Sequence, residues 1–398
     1  MAPEPGRCAI TTAIETHGTC DSAFERVRDA FGNNFRDFPE VGASVCVSVD
    51  GKTVVDLWGG HADAARTRLW ERDTIVCVWS TTKGMTAACA HRLADQGLLV
   101  LDAPVAKYWP EFAQAGKENI PVRYLLSHQA GLPAIKEMLP PGSLFEWDTM
   151  VHALEKQQPW WEPGKKHGYH AFTYGWLVGE VVRRITGKSL GTYFRDEIAG
   201  PLGADFHIGL APEHDVRTAE GIPDDPPDLD SSSFLTEMMR DPTSVSFMTL
   251  VNPPDLVQPG VANTIPWRRA EIPAANGHSN ARGIARVYTA LALGGEVDGV
   301  RIMSPEAIER GTEVQARGPD EVLHLNLEMA LGWVVTSPAA GLGPNKRAFG
   351  HSGAGGSLGF ADPDARLGFG YAMNRQLMVD DLNDPRWAPL IDAVYDCL

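Results

Sequence analysis

Val41, Ala43, Val45, Val47 and Val49 alternate with Gly42, Ser44, Cys46 and Ser48, a period of two that predicts a half-buried strand. Asp50-Gly51 follows, a dipeptide suited to the tight turn of a hairpin, and Thr53, Val55 and Leu57 alternate on the way back. Ahead of the hairpin, Phe24, Val27 and Phe31 fall at helical spacing behind Ser22-x-x-Glu25, the pattern of a capping box. A helix followed by an antiparallel hairpin points to an α+β arrangement rather than a βαβ one.

From residue 80 to about 96 the spacing predicts a helix built of small residues (Ala87, Ala88, Cys89, Ala90), with Leu93 among them and Gly97 placed to end it. Small side chains let a helix approach its neighbours closely, so this one is expected to be central and buried. Between about 105 and 275 the character changes. Helical patterns such as 177–185 alternate with proline-rich stretches, among them 223–227 and Pro253-Pro254. The segment 221–275 carries too many prolines for regular structure, and so long a connection reads as a lid, a binding wall or a decorative insertion. In the last 120 residues Ser279 is placed to cap a helix through Arg282, Ala285, Tyr288 and Leu291. Strands are expected near 329–336, 346–353 and 357–374, the last turning at Asp362-Pro363-Asp364, and an amphipathic helix closes the chain near 387–395. The expected organisation is a discontinuous α/β domain, 1–105 with 276–398, and an inserted mostly helical domain, 106–275.

Composition narrows the function classes. The chain has 398 residues, 43% of them apolar and 22% charged, the balance of a soluble protein with a sizeable core. Its formal charge of −16 repels phosphate backbones, which argues against nucleic acid as a partner. No apolar run approaches a membrane span, so no membrane partner is expected. The first residues lack the apolar centre of a secretory signal. Six cysteines (8, 20, 46, 77, 89 and 397) stand without C-x-x-C spacing. They read as reduced thiols, and the protein is expected to be cytoplasmic.

Candidate chemistry begins with Ser80-Thr81-Thr82-Lys83. Residues three apart share a helix face, so the lysine amine can reach the serine hydroxyl. A serine at a helix N-terminus also meets free N–H groups that favour developing negative charge. Serine needs such help as a nucleophile, although any capping serine followed by a lysine gives the same tetrapeptide. Two partners stand downstream. Tyr169 lies just before the 174–185 helix, and beside a lysine its phenolate is favoured and can act as a general base. A tyrosine in so aromatic a stretch also fits a packed ring. Gly350-His351-Ser352-Gly353-Ala354 runs into Gly355-Gly356, where glycines let a substrate approach the backbone and turn an N–H toward an oxyanion. Gly355-Gly356-Ser357-Leu358-Gly359 matches the nucleophile elbow of α/β-hydrolases, but the residues after it are strand-like rather than helical and no histidine lies beyond His351, so that triad cannot form. His167 and His170 lack companions for a metal site.

With Ser80-x-x-Lys83, Tyr169 and His351-Ser352-Gly353 in this order, the chain resembles the serine β-lactamase/penicillin-binding-protein superfamily, in its class C-like branch. Leu125-Leu126-Ser127-His128-Gln129-Ala130-Gly131-Leu132 is similar to that branch's Leu-Leu-Ser-His-Thr-Ser-Gly-Leu segment. Tyr169-His170-Ala171-Phe172-Thr173-Tyr174-Gly175-Trp176 and Gly350 to Ser357 resemble the family VIII carboxylesterases. The likeness covers most of the chain, from about residue 25 to 398. It implies a β-lactamase/transpeptidase-like α+β fold: an antiparallel sheet flanked by helices, an inserted mostly helical domain, and a site between them. It further implies Ser80 as nucleophile, Lys83 as its activator and Tyr169 as general base, with Tyr174 the fallback. The backbone N–H groups of Ser80 and Ala354 would form the oxyanion hole, and His351, Ser352 and Gly353 would line the substrate.

Two departures matter. Ala171 stands where the lactamase pattern has the Asn that binds a β-lactam amide, and His351 replaces the Lys that holds a substrate carboxylate. A neutral imidazole is a poorer carboxylate partner than an ammonium. The expectation is a serine esterase without cofactor or metal, acting on small short- to medium-chain acyl esters. A β-lactamase, an amide hydrolase and an acyltransferase remain as alternatives on the same machinery, and a homo-oligomer is compatible with everything above. Trp79, Trp160, Trp161, Trp176 and Trp333 are candidates for an apolar wall or for core.

Overall fold

The computed structural model describes residues 14–224, 238–379 and 382–398. Nine strands join in one antiparallel sheet in the order Thr16–Cys20, Lys52–Gly60, Gly42–Val49, Leu367–Met373, Leu358–Asp362, Phe349–Ser352, Val334–Val335, Asn326–Met329 and Ala316–Pro319. Its central pair brings the two ends of the chain together, with Val45 opposite Tyr371 on one side and Leu57 on the other. The fold is the expected α+β one.

The central Gly42–Val49 strand is buried on both faces, not half-buried as its alternation suggested. Ala43, Val45 and Val47 pack against Phe24, Val27 and Phe31 of the N-terminal helical segment and against Trp387, Leu390 and Ile391 of the last helix. The small residues on the opposite face are covered as well. Cys46 packs on Ala281 and Ala285 of the Ala281–Ala292 helix, and Ser44 Oγ accepts a hydrogen bond from the Ala281 N–H at 3.2 Å. A Cβ on Gly370 would stand 2.2 Å from the Ala281 carbonyl oxygen. Small side chains there admit a helix rather than water.

Two caps differ from expectation. Ser22–Phe24 forms a single 3₁₀ turn with no side-chain cap, and the helix proper is Glu25–Asp37. Asn280, not Ser279, caps the Ala281–Ala292 helix, accepting from the Gly283 N–H. Ser279 belongs to a two-residue strand, His278–Ser279, and donates to the Asp205 carbonyl at 2.8 Å. The turns behave as read: Asp50 and Gly51 have φ of 51° and 80°, and the Asp362 carboxylate accepts from the Asp364 and Ala365 N–H groups. The closing helix is Trp387–Tyr395.

The small-residue helix, Thr81–Asp95, is buried along nearly its whole length and ends before Gly97 at φ 73°. It lies between the Phe349–Ser352 strand and the Thr173–Thr186 helix. Within 221–275, residues 225–237, including two of the prolines of 223–227, fall outside the described residues. The rest holds more helix than its prolines suggested, because Pro254 and Pro266 stand at helix starts, where no N–H is needed. The segment is pinned to a neighbouring loop: the Asn252 side chain accepts from the Leu139 N–H and donates to the Ile135 carbonyl, and the Asp255 carboxylate accepts from the Gly142 N–H. Among the described residues, no helix is long and apolar enough to cross a membrane.

Candidate active site

Ser80 stands at the junction of the Val76–Cys77 strand and the Thr81–Asp95 helix. The residue before it, Trp79, takes a left-handed φ of 45°, a conformation that costs a bulky residue about 1–3 kcal/mol and persists only where the surroundings hold it. They do. Trp79 packs on Trp267 at 5.3 Å between ring centroids, its carbonyl accepts from Thr82 Oγ1, and Val78 N–H donates to the Gly277 carbonyl. This kink leaves Ser80 partly open, whereas the helix behind it is sealed.

Lys83 is one helical turn on and wholly buried, 0% exposed. Its Nζ lies 2.7 Å from the Ala171 carbonyl, 2.9 Å from the Ala274 carbonyl and 3.0 Å from Ser80 Oγ. No carboxylate is among these contacts, and burial pushes the amine's pKa well below its ordinary value. A neutral amine has two N–H groups and one lone pair. The two carbonyls can only accept, so they take both N–H groups and the lone pair is left for the Ser80 hydroxyl.

Tyr169 completes the group. Its ring lies 4.6 Å from Lys83 Nζ and 6.1 Å from the His351 ring, and the Ser80 side chain is near enough to its hydroxyl to favour the charged phenol. Burial is the leading influence on the phenol and pushes its pKa up. The phenolate expected from the neighbouring lysine is therefore not the resting form, because burial outweighs what the neighbouring groups do for the charged ring. Tyr174 sits deeper. Its ring is 6.0 Å from Lys83 Nζ, and its hydroxyl is buried beside Gly332 with no partner among the described residues. The constellation around Ser80 thus contains Tyr169 and not Tyr174.

The fourth part is the loop after the Phe349–Ser352 strand. Gly353 is so close to the turn that carries Ser80 that a Cβ there would lie 3.2 Å from Ser80 N and 2.3 Å from the Val78 carbonyl. Ala354 is exposed, and neither its N–H nor that of Ser80 donates to an acceptor among the described residues. His351 is 4% exposed, bonds the Ser352 carbonyl through Nδ1 at 2.7 Å and leaves Nε2 unpartnered. Burial, reinforced by Lys83, lowers its pKa to about 3. It is a neutral ring, unable to serve as a cation. Of the tryptophans, Trp176 and Trp333 are core, while Trp79, Trp160 and Trp161 keep partial exposure.

Three residues had no role in the sequence reading. His128, with φ 60°, packs against Tyr169 and Tyr174 and accepts from the His170 N–H at 3.1 Å. His170 spends both ring nitrogens inside the chain, on the Gly168 carbonyl and the Leu132 N–H. Asp320, 1% exposed, accepts from the Tyr169 N–H at 3.0 Å and holds that segment from behind. The two histidines stood in quoted motifs; nothing local marked Asp320. Behind the loop, Arg386 (1% exposed) donates to the Gly355 carbonyl between the carboxylates of Glu40 and Asp384, and Trp387 Nε1 donates to the Gly356 carbonyl at 2.8 Å.

Comparison with known proteins places these features in company. The β-lactamase family profile matches residues 31–392. The esterase/β-lactamase LipL of Mycobacterium tuberculosis is 38% identical over 370 residues, 90% of this chain and 83% of that protein. A crystal structure of a family VIII carboxylesterase superposes with a TM-score of 0.87 at 44% identity, covering 97% of this chain and 100% of the other. A penicillin-binding protein homologue from Caulobacter crescentus gives 0.85 at 38% identity, over 96% and 100%.

Proposed function

The chain belongs to the β-lactamase family, and from that premise we propose that it works as a family VIII-type serine carboxylesterase, hydrolysing short- to medium-chain acyl esters through an acyl-enzyme on Ser80. The observation that carries the reading is the placement of Lys83 Nζ, wholly buried, 3.0 Å from Ser80 Oγ and with the Ala171 and Ala274 carbonyls as its other partners: in its neutral form the amine gives both N–H groups to those carbonyls and its lone pair to Ser80.

In acylation the Ser80 oxygen attacks the ester carbonyl while its proton passes to Lys83 Nζ. The oxyanion is received by the N–H groups of Ser80 and Ala354. Collapse expels the alkoxide, which takes the Tyr169 proton, and Lys83 restores that proton to the phenol. Water then attacks the acyl-enzyme by the reverse route, and Ser80 regains its proton from Lys83. This order gives Lys83 the role of first base and keeps Tyr169 as the proton carrier to the leaving alcohol, in line with the directions in which burial moves the two pKa values. A neutral His351 offers a carboxylate no charge and Ala171 offers an amide no polar side chain, which favours an uncharged ester. β-Lactam hydrolysis is the second reading, favoured by the name of the M. tuberculosis relative. A cytoplasmic location is supported by five free cysteines among the described residues, three of them buried.

The test is a chromogenic butyrate ester with mass spectrometry of the quenched protein. An early burst of alcohol and one acyl adduct on Ser80 are expected, both absent in Ser80→Ala. Normal turnover by Ser80→Ala would overturn the proposal.

A further inference from the structure

Gly355-Gly356-Ser357-Leu358-Gly359 spells a nucleophile elbow, yet Ser357 is 1% exposed and has no basic side chain among its hydrogen-bond partners. Its hydroxyl makes two bonds, and both go to the turn that carries Ser80. Ser357 Oγ donates to the Val78 carbonyl at 2.7 Å. A hydroxyl has one proton, so its second bond, to Thr81 Oγ1 at 2.9 Å, is one it accepts. Val78 and Thr81 flank Ser80, and the Val78 carbonyl also takes the Thr81 N–H. Meanwhile the Ser357 carbonyl accepts from the Gly353 N–H at 2.8 Å, and the Gly353 carbonyl accepts from the Gly356 N–H at 3.0 Å. These bonds close the loop that presents Ala354.

We infer that Ser357 is a positioning residue: through its hydroxyl on the Val78–Thr81 turn and its carbonyl on Gly353, it sets the separation of the two N–H groups, of Ser80 and Ala354, that receive the oxyanion. The glycine pattern fits this task. A Cβ on Gly353 would meet Ser357 Oγ and the Val78 carbonyl, each at 2.3 Å, so the loop and the turn lie flush with only the serine hydroxyl between them. Gly356, at φ 120°, faces Arg386 in the same way on the far side, which holds the loop against drift outward. An oxyanion hole is demanding about such spacing, since its donors must sit within about 2.7–3.1 Å of the charged oxygen. Ser80 and Lys83 stand on one side of the seam and Ala354 on the other, so alignment across it serves the transition state more than substrate binding.

The inference rests on the proposed role of Ser80. Its experiment compares wild type, Ser357→Ala and Thr81→Val for kcat and KM on the butyrate ester, for inhibition by a trifluoromethyl ketone that forms a tetrahedral adduct on Ser80, and for melting temperature. Removing a hydrogen bond that aligns a donor, rather than the donor itself, should cost less than the ~10²-fold of a lost donor, so Ser357→Ala is expected to lower kcat by about 10-fold. KM should change less than twofold, the ketone should bind more weakly by about the same 10-fold factor as kcat, and acyl labelling of Ser80 should persist. Thr81→Val, which keeps the Val78 bond, should fall between that variant and wild type. A lowered melting temperature with kcat and ketone affinity unchanged would mean the serine is merely structural, and wild-type kcat and affinity in a stable Ser357→Ala would equally overturn the role. An acyl label on Ser357 rather than Ser80 in wild type, with all turnover lost in Ser357→Ala, would overturn it in favour of Ser357 as nucleophile. Full turnover by Ser80→Ala refutes the parent proposal instead, so the two failures are told apart.

Discussion

Acidifying the wild-type enzyme should switch it off by protonating Lys83. The neutral amine gives its two N–H groups to the Ala171 and Ala274 carbonyls and turns its lone pair to Ser80 Oγ. A proton on that lone pair adds a third N–H aimed at Ser80 and leaves the hydroxyl without an acceptor. The sign follows from burial, which lowers the pKa, so the amine is neutral and competent at a pH where an ordinary lysine is charged. Below that pKa the competent fraction, and with it kcat/KM, falls about tenfold per pH unit. Other groups around Ser80 do not imitate this limb. His351 and His170 are held near 3, so both stay neutral from about pH 5 upward, and burial moves His128 in the same direction. Burial moves Tyr169 and Tyr174 upward, beyond the alkaline end. Asp320, behind Tyr169, is also pushed up, and Asp320→Asn separates its contribution because the acid limb should remain in that variant. The assay is initial-rate hydrolysis of a chromogenic butyrate ester from about pH 5 to 10 at constant ionic strength. The expected profile is an acid limb of unit slope and a plateau reached well below 10.5. A rate still climbing tenfold per unit toward pH 10.5 would show that Lys83 is charged at neutrality, and Lys83→Met with near-normal kcat would refute its role altogether.

Tyr169→Phe keeps the ring and its packing but removes the hydroxyl beside Ser80, and should lower kcat by at least ~10²-fold, the lower end of general acid–base contributions. Tyr174→Phe, whose hydroxyl has no partner, should cost far less; the opposite ranking would mean the proton passes through the deeper tyrosine. Trp387→Phe strands the buried Gly356 carbonyl, so unfolding in urea should show a loss of about 1–3 kcal/mol, and unchanged stability would show that this bond does not anchor the loop. His351→Lys should raise kcat/KM on a carboxylate-bearing chromogenic cephalosporin relative to the butyrate ester; a wild-type protein at least as efficient on the cephalosporin would favour the β-lactamase reading.

The centre of the sheet was legible because its strands carry period-two apolar positions and its turns carry Asp50-Gly51 and Asp362-Pro363-Asp364, each needing only neighbouring residues. The outer strands Thr16–Cys20 and Ala316–Pro319 lack that alternation and went unread, as did Asn326–Met329. Burial on the second face was not legible, since Ser44, Cys46 and Gly370 read as polar or empty until a distant helix lies on them. The same limit applied to the site. Ser80 and Lys83 are one helical turn apart and can be paired from spacing alone. Asp320 reaches Tyr169 across 151 positions, and Ser357 reaches Val78 across 279, so no local pattern announces them. The phenolate expectation for Tyr169 failed for a related reason. Spacing shows that a lysine is near, but only the folded chain shows that burial lowers its pKa and raises that of the phenol.

That distinction bears on why this site suits esters. At position 171 the backbone carbonyl still serves Lys83 although the side chain is only a methyl. At position 351 the ring packs beside Tyr169 but is neutral. Neither position therefore brings a charge or a side-chain amide to a ligand. The one amine in the constellation is wholly buried and committed to two carbonyls and a hydroxyl. A substrate carboxylate entering here would shed its water and find no cation in return, a cost its acyl-transfer chemistry would have to overcome. An uncharged ester meets no such cost, and the proposed route asks only for Ser80, Lys83, Tyr169 and the N–H groups of Ser80 and Ala354, which stand together here.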